Sequence, residues 1–222
     1  MAYQHHFVNG SACPFTLGKI VCVGRNYADH AKELNNPIPT EPMLFIKPAT
    51  AAVALEQPFS IPVKYGSVHF ETEMSILIGE RLSHASEADA QKAIAGVGVG
   101  LDLTLRDLQD NLKSKGHPWE KSKAFDGACP LSAFVAPEQV TDLQNVQIRL
   151  EVNGEVRQNG NSSLMLNKVL PLISYISEFF TLEPGDVVMT GTPAGVGPIE
   201  IGDALKVELE GIMSVSSFVK AS

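Results

Sequence analysis

Residues His69-Phe70-Glu71-Thr72-Glu73-Met74 run into the apolar Ser75-Ile76-Leu77-Ile78 before Gly79 interrupts. Phe70, Thr72 and Met74 alternate with Glu71 and Glu73, the period-2 pattern of a β-strand, so both carboxylates fall on one face. Like charges so close repel at little cost in water and at great cost in an interior. The face is therefore either solvated or turned toward a cation, and a hard divalent metal ion with oxygen ligands meets the second demand.

A second stretch bears on that choice. Val97-Gly98-Val99-Gly100-Leu101-Asp102-Leu103 is apolar almost throughout, as a strand covered on both faces must be, with glycines where backbones approach closely. A buried aspartate must be paired or coordinating, because an unpartnered one costs several kcal/mol.

Around these runs the pattern predicts short elements. Residues 20–23 form a buried strand that turns through Gly24-Arg25-Asn26 into a helix over 27–34, and residues 43–48 form another strand. A capping box at Ser86-Glu87-Ala88-Asp89 opens a helix to about Ala95, and a second at Thr104-Leu105-Arg106-Asp107 opens a polar helix through Gln109 and Lys113 to Gly116. That polar helix is either a lid or an ordinary surface element. Residues 118–130, with Trp119, Lys121, Lys123 and Asp126, lack apolar periodicity and read as a loop, solvated or walling a site.

Asn153-Gly154 joins a hairpin, as Asn9-Gly10 does near the start, and Ser162-Ser163 caps a helix to Phe180 that Pro171 should kink. After a Pro184-Gly185-Asp186 turn and a buried strand, the Gly-rich loop 190–197 offers backbone N–H groups to an anion; it does not match a nucleotide phosphate loop, so a small carboxylate suits it better. Two alternating strands close the chain.

On the first helix His30 and Glu33 are three residues apart and share a face. They are either an exposed ion pair or, with the carboxylate orienting the imidazole, a general base. Lys47, ending its strand, is either a surface charge or a site residue. The adjacent His5-His6 point apart on an extended segment and suggest no metal site.

The 222 residues suffice for one sizeable core, and no composition shift marks a linker, so one compact domain (18–222) behind a short N-terminal extension (1–17) is expected. A net charge of -8 without a basic face argues against nucleic acid or an anionic membrane as partner. Cys13, Cys22 and Cys129 form no C-x-x-C pattern, so neither disulfides nor zinc is indicated. No apolar run approaches the roughly 20 residues of a membrane span, and no targeting segment is evident, which makes the cytoplasm the expected location.

Ile20-Val21-Cys22-Val23-Gly24-Arg25-Asn26-Tyr27 with His30, H-F-E-T-E at 69–73, G-L-D-L-T at 100–104, K-S-K-A-F-D at 121–126 and T-G-T-P-A-G-V-G at 190–197 follow one another in that order. Together they resemble the fumarylacetoacetate hydrolase family, from about residue 18 to the end. The chain looks most like its short single-domain members, the acylpyruvase and oxaloacetate-acting group, without the long N-terminal domain of fumarylacetoacetases or the presequence of eukaryotic relatives.

The resemblance implies an α+β, predominantly β fold, with several sheet layers rolled around a metal site and few short helices, assembled as a homodimer. It implies that Glu71, Glu73 and Asp102 coordinate Mg2+ or Mn2+, that His30, Glu33 and Lys123 are catalytic, and that Thr192 binds a carboxylate. The first activity it suggests is hydrolytic carbon-carbon cleavage of a 3-acylpyruvate. Gly191 and Thr192 would hold the substrate carboxylate with Arg25, Arg106 and Gln109 assisting, His30 would activate water, and Lys123 would stabilise the departing enolate. The same site suits oxaloacetate decarboxylation or keto-enol tautomerisation, or isomerisation or hydrolysis of an unsaturated diacid of aromatic catabolism. The rival from another class is a protein that merely binds a dicarboxylate.

Overall fold

The apolar runs at 20–23, 75–78 and 97–101 lie in one seven-stranded sheet in the computed structural model, which describes residues 3–221. Its strand order is Met43–Pro48, Lys19–Gly24, Val187–Met189, Thr72–Ile78, Ile94–Leu101, Cys129–Leu131, Ala52–Ala54. Both faces are covered. Val21, Met74, Ile76 and Val99 belong to the larger buried cluster, while Ile20, Cys22, Leu77 and Met189 belong to a smaller one. Two-sided burial explains why these strands read as continuous apolar runs.

A five-stranded sheet (Glu155–Asn161, Gln147–Val152, Ala204–Leu209, Met213–Lys220, Phe59–Ser60) and a three-stranded one (Gly197–Pro198, Val68–Phe70, Thr104–Leu105) complete the predominantly β architecture. Residues 5–13 pack onto this body through a turn at Asn9-Gly10, a bridge from Phe7 to Phe134 and a His5 Nε2 contact with the Gly185 carbonyl. Residues 1–2 of the predicted extension lie outside the described residues.

The strands Thr72–Ile78 and Ile94–Leu101 position the acids. They pair antiparallel with Thr72 opposite Leu101 and Glu73 opposite Gly100, and the Asp102 N–H donates to the Glu71 carbonyl at 2.8 Å. Register alone thus brings Glu71 and Asp102 together. Gly100 lets the ends of two side chains pack onto its backbone: a Cβ would lie 2.9 Å from Leu131 Cδ2 and 3.0 Å from Met189 Cε.

Four local expectations are corrected. The Ser86 capping box forms, but its helix is Glu87–Ala93 and the strand starts at Ile94, because Ile94 and Gly96 are drawn into pairing with Ile78 and Leu77. The second capping box does not form: Thr104 Oγ1 bonds the Asp102 carbonyl and the Asp107 carboxylate accepts from the Ser67 N–H. The helix Arg106–Ser114 nevertheless forms, and Gly116, at φ 64, closes it as expected, with His117 N–H donating to the Leu112 carbonyl. Residues 118–130 hold a short helix, Glu120–Lys123, and the strand Cys129–Leu131.

Finally, the helix expected over 162–180 is split into a 3-10 turn, Ser162–Leu164, and a helix, Val169–Phe179. Pro171 therefore sits in a first turn, where its missing N–H has no helical partner to lose, and it kinks nothing.

Candidate metal centre and active site

Glu71, Glu73 and Asp102 are all buried, and each offers an oxygen within 4.8 Å of the others. Three buried cations press on them. Lys123 Nζ lies 2.8 Å from Glu71 Oε2 and 2.6 Å from Asp102 Oδ2; Arg106 Nη2 lies 2.5 Å from Glu71 Oε1; Lys47 Nζ lies 2.8 Å from Asp102 Oδ1. Among the described residues Glu73 has no cationic partner, and it accepts the Gly191 N–H at 2.7 Å.

Charge follows these contacts. Burial pushes Glu71 up, but the Lys123 ammonium and the Arg106 guanidinium outweigh it and hold Glu71 well below the usual carboxylate range. Burial also disfavours the Lys123 charge, yet Asp102 and Glu71 raise its pKa and keep it an ammonium. Glu73 goes the other way: burial and the nearby charges of Asp102 and Glu71 push it well above its ordinary value. Such crowding of carboxylates is relieved by a cation, and three hard oxygen donors suit Mg2+ or Mn2+. The donor set therefore fits a divalent ion.

Beside the triad lies a cleft lined among others by Arg25, His30, Phe45, Gln109, Trp119 and Thr192. His30 is buried, and desolvation lowers its pKa, with the Glu71 carboxylate opposing the shift. Its Nδ1 stands 3.6 Å from Glu33 Oε2, beyond hydrogen-bond reach, and the Glu33 carboxylate instead accepts the Gly195 N–H at 3.1 Å. Arg106 Nη1 donates to Gln109 Oε1 at 2.7 Å, so these two act as a unit. Arg25, whose backbone sits at φ 57, reaches Asn36 Oδ1 at 2.8 Å across the cleft mouth.

Arg25, His30, Arg106, Gln109, Lys123 and Thr192 line this cleft and Gly191 and Lys47 touch the triad, whereas Glu33 does neither, and not all of them are free to do what the pattern suggested. The Gly191 N–H is spent on Glu73 and is not available to a substrate carboxylate. Thr192 lines the cleft, and its hydroxyl accepts from Gln158 Nε2 at 2.8 Å. Lys47, left open between surface and site, is wholly buried on Asp102 and the carbonyls of Lys123 and Ala128. Asn26 figures in the sequence only as a turn and motif residue, and Gln158 not at all. Asn26 Nδ2 donates to the carbonyls of Thr190 and Asn167, fastening the Gly-rich loop, and nothing in its local pattern marks that role.

A model of the fumarylacetoacetate hydrolase C-terminal family matches residues 19–220. The chain belongs to the fumarylacetoacetate hydrolase family. As a fumarylacetoacetate hydrolase family enzyme it is 54% identical over 210 residues to Escherichia coli oxaloacetate tautomerase YcgM, covering 94% of this chain and 96% of that one. It is 44% identical over 196 residues to the mitochondrial oxaloacetate tautomerase FAHD1 of Bos taurus, covering 88% and 89%. Among solved structures it matches fumarylpyruvate hydrolase from Pseudomonas aeruginosa in complex with Mn2+ and pyruvate, with a TM-score of 0.93 and 35% identity over 100% of this chain and 97% of that one. No helix among the described residues is long and apolar enough to cross a membrane.

Proposed function

We propose that this protein interconverts the keto and enol forms of oxaloacetate, using a divalent ion held by Glu71, Glu73 and Asp102. One observation carries the choice of substrate class. The three buried carboxylates are matched by three buried cations, Lys47, Lys123 and Arg106, so a divalent ion leaves the site with two positive charges in excess. With Arg25 lining the same cleft, a dicarboxylate with a 2-oxo group answers that positive excess better than a monoanion. The names of the relatives at 54% and 44% identity agree with this substrate.

Tautomerisation asks for one proton to leave C3 and one to reach the 2-oxo oxygen. The bound ion supplies Lewis-acid polarisation of that oxo group. His30, neutral at pH 7, faces Glu33 with Nδ1, which favours the proton there and leaves Nε2 to accept the proton from C3. The Lys123 ammonium, fixed between Glu71 and Asp102, stabilises negative charge as it develops. The His30 imidazolium then returns the proton it took to the 2-oxo oxygen, completing the enol and restoring the neutral base. Thr192 and Arg106 receive the proximal carboxylate, and Trp119, at the start of the short helix, lines the same cleft.

Hydrolysis of a 3-acylpyruvate, the first activity suggested by the sequence, asks more of the site. Besides the same His30 base it requires a water placed to attack the distal carbonyl, a second reactant that tautomerisation does without. The test is to follow the ultraviolet absorbance of enol-oxaloacetate with Mn2+-loaded protein while assaying CO2 and pyruvate. Accelerated interconversion without CO2 is expected, and an interconversion rate equal to that without protein would count against the proposal. Acetate and pyruvate from acetopyruvate at a comparable rate would favour hydrolysis instead.

A further inference from the structure

The Gln158 side chain, 1% exposed, joins the acid-bearing strand to the Gly-rich loop. Its Oε1 accepts the Thr72 N–H at 2.9 Å, and its Nε2 donates to Thr192 Oγ1 and to the Pro193 carbonyl, each at 2.8 Å. The amide cannot be turned round. Thr72 N–H is only a donor and needs the amide oxygen, while the Pro193 carbonyl is only an acceptor and needs the amide nitrogen.

That fixed orientation settles the Thr192 hydroxyl. Its oxygen receives one of the two amide hydrogens, so its own hydrogen must go elsewhere. Among the described residues the acceptor in reach is the Pro193 carbonyl at 3.5 Å, the far limit of a hydrogen bond, and that carbonyl receives a much shorter one from Gln158. The other direction is the cleft, which Thr192 lines.

We infer that Gln158 is a positioning residue that fixes the polarity of the Thr192 hydroxyl, making it a donor aimed at the substrate carboxylate. The inference rests on the reading that Thr192 seats that carboxylate. A donor already turned toward an anion needs no reorganisation when the anion arrives, which is what makes a preorganised site effective. Because Thr72 stands between Glu71 and Glu73, the same amide also ties this donor to the strand that bears two of the three acids. The loop is pressed on the Gln158 strand closely enough to keep the geometry: a Cβ on Gly160 would lie 2.3 Å from Pro193 Cβ, and one on Gly195 would lie 2.1 Å from the Arg157 carbonyl oxygen.

The experiment measures pyruvate binding to the Mn2+-loaded protein by calorimetry for wild type, Gln158→Met, Thr192→Val and the double variant, with Mn2+ affinity measured in parallel. Loss of one hydrogen bond to a charged group predicts about a tenfold to hundredfold weaker binding for Thr192→Val, and Gln158→Met, which keeps the hydroxyl but frees its orientation, should weaken binding by a smaller factor. Gln158→Met should add nothing in the Thr192→Val background, and Mn2+ affinity should stay at the wild-type value. Wild-type pyruvate binding in Gln158→Met, an equal loss in both backgrounds, or a parallel loss of Mn2+ would overturn the inference. Unchanged binding in Thr192→Val would overturn the carboxylate reading beneath it, and the inference with it. A neutron structure of the wild-type protein needs no variant to fold: the Thr192 deuteron is expected on the cleft side, and a deuteron on the Pro193 side would refute the assignment. None of these readouts uses turnover of oxaloacetate, so failure of the proposed reaction is told apart from failure of the Gln158 assignment.

Discussion

Lys123→Met should destabilise the metal-free protein strongly, yet tighten its hold on a divalent ion. The ammonium is 4% exposed and bridges Glu71 and Asp102 at 2.8 and 2.6 Å. Removing one partner of a buried ion pair costs about 3–5 kcal/mol. For a domain of this size each kcal/mol moves Tm by about 2–4 °C, which gives a loss of about 6–20 °C. A bound ion takes the same carboxylate oxygens, so the lysine contributes less once the site is filled. The Tm gap between variant and wild type should therefore shrink as Mn2+ is added, and by linkage the variant's Mn2+ affinity must exceed that of wild type. Differential scanning calorimetry across a Mn2+ series measures both. A gap that stays constant with Mn2+, or a metal-free Tm within about 2 °C of wild type, would show that Lys123 and the ion do not share those oxygens.

Two further outcomes concern histidines. Burial lowers the His30 pKa, so the base is neutral at pH 7 and the acid limb of kcat should lie below the ordinary histidine value of about 6.5; His30→Gln should cut kcat by about 10²–10⁴-fold and remove that limb, and a retained limb would assign it to another group. His5 is buried with Nε2 on the Gly185 carbonyl and Nδ1 unpartnered, and burial lowers its pKa as well. A folded-state pKa below the unfolded value means stability that is complete above about pH 6.5 and lost as pH falls through the folded pKa. His5→Phe should therefore melt below wild type at pH 7 by a margin that narrows toward pH 5, whereas a margin independent of pH would refute the protonation argument.

What could be read from the sequence follows distance along the chain. Glu71 and Glu73 share a face by strand alternation, and Asp102 stands out because its run is otherwise apolar; strand pairing then does the rest, with Thr72 opposite Leu101. The hairpin at Asn153-Gly154 rests on local backbone preference and forms as expected, with φ of 54 and 82. Elsewhere a local rule lost to a distant partner. Thr104 has a capping-box sequence, but the strand pairing of residues 104–105 with 68–69 claims its backbone and Asp107 is drawn to Ser67. Lys47 illustrates the opposite limit. Its strand pattern is compatible with either a surface or a buried position, and only the arrival of Asp102 and of the carbonyls of Lys123 and Ala128 decides it. Gln158 belongs with it, since both loop and strand that it joins are remote in sequence. The dyad expected of His30 and Glu33 was sound in spacing, yet Gly195, 162 residues from Glu33, takes the carboxylate.

The most direct test of the account is a Mn2+ titration of the metal-free protein, followed by calorimetry and electron paramagnetic resonance, beside Glu73→Gln and Asp102→Asn. The convergence of Glu71, Glu73 and Asp102 predicts one Mn2+ per chain in an oxygen environment, with affinity lost in both variants. Binding undiminished in both, or no specific binding to the wild-type chain, would contradict it.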